Sequence, residues 1–193
     1  MQILTGRGFT QVYNLKGGIA AWQGHAAAGP EEMGMVLLKG DESPQDIICL
    51  AYGLEEGLRK FYAAATEMAI DAEVVKVLTI LAEIEDRHKQ KLFDLYKSID
   101  AADTAIESFE ATVSSELLEG GFDPDQVLQE SMPTLGNASD VLNLAMMLEA
   151  QGMDLYRRYA EKSQDPRVKE ILFTLADDEK AHLNSLGALF ERI

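Results

Sequence analysis

Cysteine is almost absent from this chain: Cys49 stands alone among 193 residues. One thiol excludes an internal disulfide and any four-cysteine metal site, and Cys49 itself reads as a small buried residue on a helix. Basic residues are scarce as well. Seventeen Lys and Arg face 33 Asp and Glu, a formal net charge of −16, which argues against nucleic acid or an anionic membrane as partner. No run approaches the roughly 20 apolar residues of a membrane span. No apolar stretch follows residues 1–7, so no secretory signal is expected either. Histidine is limited to three residues. With 47% hydrophobic content the chain can bury one good core with a small appendage. The expectation is a soluble, acidic, cytoplasmic protein.

What is present is a repeat. Leu54-Glu55, Tyr62, Asp71, Val74, Leu78, Glu85 and His88 recur as Leu148-Glu149, Tyr156, Asp165, Val168, Leu172, Glu179 and His182. The shift is constant (149 − 55 = 94 and 182 − 88 = 94), so the copies align without a gap. Each copy carries one lone glutamate and one Glu-x-x-His. Four carboxylates and two imidazoles in this pattern are the ligand set of a two-metal site in a four-helix bundle.

The period along the chain agrees. From Ser43-Pro44 onward it is helical, with Ser43 as cap, Pro44 at the first helical position and Asp46 in the first turn. A first long helix is expected over Pro44–Ala69, and a second, capped by Asp71, runs to Ile99. Asn137 or Ser139 opens the third, and Asp165-Pro166 opens the fourth. Residues 100–136 are too long for a hairpin loop. They are expected to cross the bundle, with short helices around 103–118 and 124–131 and breakers at Gly120-Gly121, Pro124 and Pro133. Residues 1–40 differ in character: 11–15 alternate like a strand, Lys16-Gly17-Gly18 is turn chemistry, and 25–40 read as a linker holding an exposed His25. The expected division is therefore 1–40 and 41–193.

The repeated groups fall on apolar seams. Val74, Leu78, Leu81, Glu85, His88, Leu92, Leu95 and Ile99 step by three and four residues. Val168, Leu172, Leu175, Glu179, His182, Leu186, Leu189 and Ile193 do the same. Ile48, Ala51, Glu55, Leu58, Tyr62 and Ala65 form the matching stripe of the first helix, and Leu142, Ala145, Glu149, Gly152, Tyr156 and Tyr159 that of the third. In each hairpin the two glutamates lie equally far from the turn, roughly 22 Å at about 1.5 Å per residue. All six groups then converge at one height. An unpaired buried carboxylate costs several kcal/mol even after relaxation. Two protonated histidines neutralise only two of four, whereas two divalent cations neutralise all.

Candidates for supporting the ligands follow by position. Tyr62 and Tyr156 share the glutamate stripes, either as core aromatics or as partners of a ligand carboxylate. Tyr52 lies one turn before Glu55, where it would line the open face, and Asp178 is placed to orient a ligand histidine. The eight methionines read as core filler.

Two resemblances attach to these residues. Residues 44–193 resemble the rubrerythrin-like branch of the ferritin-like superfamily, whose pattern of Glu, Glu-x-x-His, Glu and Glu-x-x-His maps onto Glu55, Glu85/His88, Glu149 and Glu179/His182. The resemblance implies an all-α, ferritin-like, up-down-down-up four-helix bundle with a long crossover between its second and third helices. It implies two iron ions, while oxygen-rich ligand chemistry alone also allows manganese. Gly152 stands where typical members carry a further glutamate, and the four-cysteine rubredoxin module cannot be built from one cysteine. Residues 8–24, from Gly8-Phe9-Thr10 to Ala21-Trp22-Gln23-Gly24, resemble the C-terminal end of a rhodanese-like domain. They read as the remnant of a truncated or degenerate domain without sulfur-transfer activity.

The expected function is that of a di-iron carboxylate oxidoreductase. It would reduce hydrogen peroxide or dioxygen with electrons from an external donor protein, as a homodimer without nucleic-acid or membrane partners. The alternative is a non-catalytic iron-binding, iron-handling or sensing module.

Overall fold

The computed structural model describes residues 37–39, 41–99, 104–114, 117–118, 121–131 and 136–191. The rhodanese-like stretch, His25 and Ile193 lie outside the described residues. Six helices are described: α1 Pro44–Met68, α2 Ala72–Ile99, α3 Ile106–Glu110, α4 Pro124–Ser131, α5 Ala138–Lys162 and α6 Pro166–Phe190. The architecture is the expected all-α, ferritin-like bundle, with α1, α2, α5 and α6 as its long members. No helix among the described residues is long and apolar enough to cross a membrane.

Local chemistry sets the helix ends. Ser43 and Asp46 form a capping box, the Ser43 hydroxyl accepting from the Asp46 N–H at 3.2 Å and the Asp46 carboxylate from the Ser43 N–H at 2.9 Å. Of the two candidates for the α5 cap, Asn137 is used, accepting from the Asp140 N–H at 3.0 Å. The Asp71 carboxylate accepts from the N–H groups of Glu73 and Val74, and Asp165 from those of Arg167 and Val168. The caps thus keep the offset of the repeat, and α1 and α5 are both 25 residues long.

Short turns at Ala69–Asp71 and Ser163–Asp165 make two antiparallel hairpins, joined where α2 meets α5 and α1 meets α6. Helix directions follow from the core. One apolar cluster joins Ile47–Leu54 of α1, Leu92 and Phe93 of α2, Leu155–Ala160 of α5 and Val168–Ala176 of α6. The other joins Leu58–Ala65, Val74–Leu81, Ala138–Leu148 and Leu186. Helix α5 therefore starts beside the α1–α2 turn and runs parallel to α2, giving the up-down-down-up order. The seams fray only at their ends: Leu95 and Leu189 are partly buried and Ile99 is exposed.

The crossover departs from expectation. Among the described residues of 103–118 only Ile106–Glu110 is helical. Phe109 enters the core between Tyr52, Phe93 and Tyr96, with ring centroids 4.6–5.3 Å apart. Beyond it the chain leaves the helix and lies against α1. A Cβ on Gly53 or Gly57 would strike the carbonyl oxygen of Ser114 or Leu117 respectively. Two glycines one turn apart thus open a groove for backbone, and a helix with side chains on that face would not fit it. Gly121, at φ 81°, takes the left-handed conformation that turns the chain toward α4. The linker reading of 25–40 also needs correction at its end. Leu38 is buried, its N–H donates to the Tyr159 hydroxyl at 2.9 Å, and that hydroxyl donates to the Leu38 carbonyl at 3.2 Å. Extended backbone here gains a buried side-chain partner that composition alone does not reveal.

Gly53→Ala and Gly57→Ala should each destabilise the fold by about 1–3 kcal/mol, the usual cost of overpacking. Chemical denaturation measures this, and an unchanged midpoint in both variants would contradict the close approach.

Candidate metal centre

The six repeated groups meet. Glu55 on α1 joins Glu85 and His88 on α2, while Glu149 on α5 joins Glu179 and His182 on α6. Within each trio one ligand atom per residue lies within 4.8 Å of the others. None of the six is more than 9% exposed, because each occupies a seam position that the helix turns inward. The Glu-x-x-His spacing brings carboxylate and imidazole together one turn apart. His88 Nδ1 lies 2.8 Å from Glu85 Oε2 and 3.6 Å from Glu55 Oε2. His182 Nδ1 lies 2.9 Å from Glu179 Oε2 and 3.1 Å from Glu149 Oε2.

The trios share a centre. The His88 and His182 rings stack with centroids 3.4 Å apart and planes 3° from parallel. Burial alone would raise the Glu149 carboxyl, but its hydrogen bonds with Glu179 and His182 and the nearby imidazoles outweigh that and hold it below the ordinary range. The second trio is thus arranged to keep at least one carboxylate charged.

This donor set fits divalent metal. Its oxygen and imidazole donors suit ions of the iron and manganese class. The Nδ1–carboxylate separations of 2.8–3.6 Å within the trios are short enough for these donors to share one ion. Both Nδ1 atoms face carboxylate oxygens, the side on which a shared cation would sit. His182 Nε2 is buried without a hydrogen-bond partner among the described residues, so the ring is not held by a second protein acceptor.

The outer candidates divide. Asp178 lines a small cavity of about 30 Å³ together with Glu55, His88, Glu179 and His182, but no hydrogen bond among the described residues joins it to either histidine. Tyr62 and Tyr156 are fully buried in the two apolar clusters. Tyr52 is a correction: its hydroxyl donates to Glu110 of α3 at 2.5 Å, so it secures the crossover instead of facing the site. Its ring packs on Phe109, which makes that direction the better-packed one. Burial and the Glu110 carboxylate both push its ionisation upward.

Sequence reading missed the charge network on the outer side of Glu55. Glu56 accepts from Arg59 at 2.8 Å and Lys89 at 2.7 Å, and Asp86 lies 3.6 Å from Arg59. Burial opposes ionisation of Glu56, yet these two cations hold it down to about 2. The partners are 3 and 33 residues away, and only the nearer spacing is visible as a helical pair.

Comparison with known proteins agrees in part. The rubrerythrin family model matches residues 140–193. That segment contains Glu149, Glu179 and His182, one trio entire. A solved structure of a hypothetical protein from Pyrococcus furiosus aligns over 81% of this chain and 93% of its own, with 22% identity and a TM-score of 0.50. It supports the fold alone. No curated protein matches the chain.

Full-length protein loaded anaerobically with ferrous iron should hold about two equivalents, and Glu85→Ala or Glu179→Ala about one, because each trio supplies one ion's donors. Elemental analysis after desalting decides this. Two full equivalents in either variant would remove that glutamate from the ligand set.

Proposed function

We propose that the protein is a di-iron carboxylate oxidoreductase that reduces hydrogen peroxide or dioxygen with electrons from a separate donor protein. The observation that carries the reading is the burial of two Glu/Glu/His trios against one stacked imidazole pair. Glu55, Glu85 and His88 would hold one iron, and Glu149, Glu179 and His182 the other. An iron pair in this place supplies Lewis acidity and one electron from each ion.

The chain supplies the rest. Four carboxylates offset the charge of two divalent ions, so a filled centre is close to neutral inside the bundle. The apolar clusters above and below the site exclude water from its ends, which strengthens electrostatic interactions between the groups inside. The two hairpins hold their donors on separate rigid pairs of helices. These 193 residues hold a single cysteine, so a four-cysteine electron carrier cannot come from them.

Gly152 favours a second reading. It is buried on α5 one turn beyond Glu149 and adds no carboxylate, leaving a minimal six-donor set suited to an iron-handling or sensing module with little turnover.

Anaerobically reduced, iron-loaded protein mixed with excess peroxide and an electron-donor system separates the two. Rapid loss of many peroxide equivalents per site, abolished in Glu179→Ala, is the expected result. A single slow oxidation per site would overturn the enzymatic reading in favour of the binding module.

A further inference from the structure

A cavity of about 360 Å³ opens between α2 and α6, on one side of the imidazole stack. Its floor is His88, His182 and Glu149, its walls include Leu81, Ile84 and Leu186, and its rim carries Arg87 and Lys91. Its volume lies in the range of small-molecule sites, roughly 300–1,000 Å³, and well exceeds what a peroxide or dioxygen molecule fills. Apolar walls with a few charged groups at one end are the usual composition of such sites.

The charge at the rim runs against the charge of the chain. In a protein of net charge −16, Arg87 and Lys91 stand one helical turn apart on α2, both exposed; Arg87 Nε donates to the Glu83 carbonyl at 3.3 Å, and no ion pair among the described residues engages either. Lys91 also borders the smaller cavity on the other side of the stack. The two cations stand where the larger of these two cavities begins to meet solvent. Their side chains are long enough to close on a shared anion, and the apolar walls lie directly behind them.

We propose that this cavity is a binding site for a small organic anion, a monocarboxylate with a short apolar body. The carboxylate would lie between Arg87 and Lys91, and the body along Leu81, Ile84 and Leu186, above the imidazoles. The site is formed by this chain's own side chains and does not depend on the redox reading, so either can fail alone.

Isothermal titration of the full-length protein with hexanoate, at low ionic strength, tests it. The neutral hexanol, with the same body, and the Arg87→Gln/Lys91→Gln double variant serve as comparisons. Hexanoate should saturate at one site, bind at least about tenfold more tightly than hexanol, and lose about tenfold in the double variant, as expected for losing a charge-assisted hydrogen bond. Added salt should weaken it, since the rim is exposed. Both positions are on the surface, so the double variant should fold, which its unfolding midpoint will check. Equal affinity for hexanoate and hexanol, unchanged hexanoate binding in the double variant, or no binding of hexanoate would each overturn the proposal.

Discussion

Four carboxylates buried at one height in a helical bundle are the constraint on which the rest of the structure depends. Removing even one ion from water costs several kcal/mol after relaxation, and here four acids share a space with two imidazoles in face contact. A fold that keeps such a cluster carries a debt that positive charge must offset, and the donor set is suited to divalent cations. The bundle around it is arranged to bring the groups level.

The levelling is done by the caps and the turns. Ser43 and Asn137 start equivalent helices, and Asp71 and Asp165 restart the chain after equivalent turns, all at the same offset as the ligands. Each hairpin therefore delivers its glutamate and its Glu-x-x-His at a matched distance from its turn. The crossover then fixes one hairpin against the return of the chain. Phe109 enters the core beside Tyr52, and backbone lies in the groove left by Gly53 and Gly57. Tyr52, one turn from a ligand, works at this outer contact, so the wall of the site and the strap of the crossover are the same stretch of α1.

Most of this was legible in the sequence because it is periodic and local. Seam positions at three- and four-residue steps, caps beside prolines and aspartates, and the constant shift between copies all act within a turn or two of the chain. The six donors followed from them. What escaped is non-local. Gly53 and Gly57 look like weak points in a helix until a carbonyl from more than fifty residues away lies on them. The crossover loses its expected helix after Glu110 because a groove of that width accepts backbone and not side chains. Leu38 was assigned to a linker, since nothing near it in sequence announces Tyr159. The direction of the Tyr52 hydroxyl, and the pairing of Glu56 with Lys89, likewise depend on which helix lies alongside.

The most direct test of the account is anomalous X-ray scattering at the iron absorption edge from crystals of the iron-loaded protein. Two peaks are predicted, one within bonding distance of Glu55, Glu85 and His88 and the other of Glu149, Glu179 and His182. A single peak held by only one trio, or iron bound only at surface carboxylates, would contradict it.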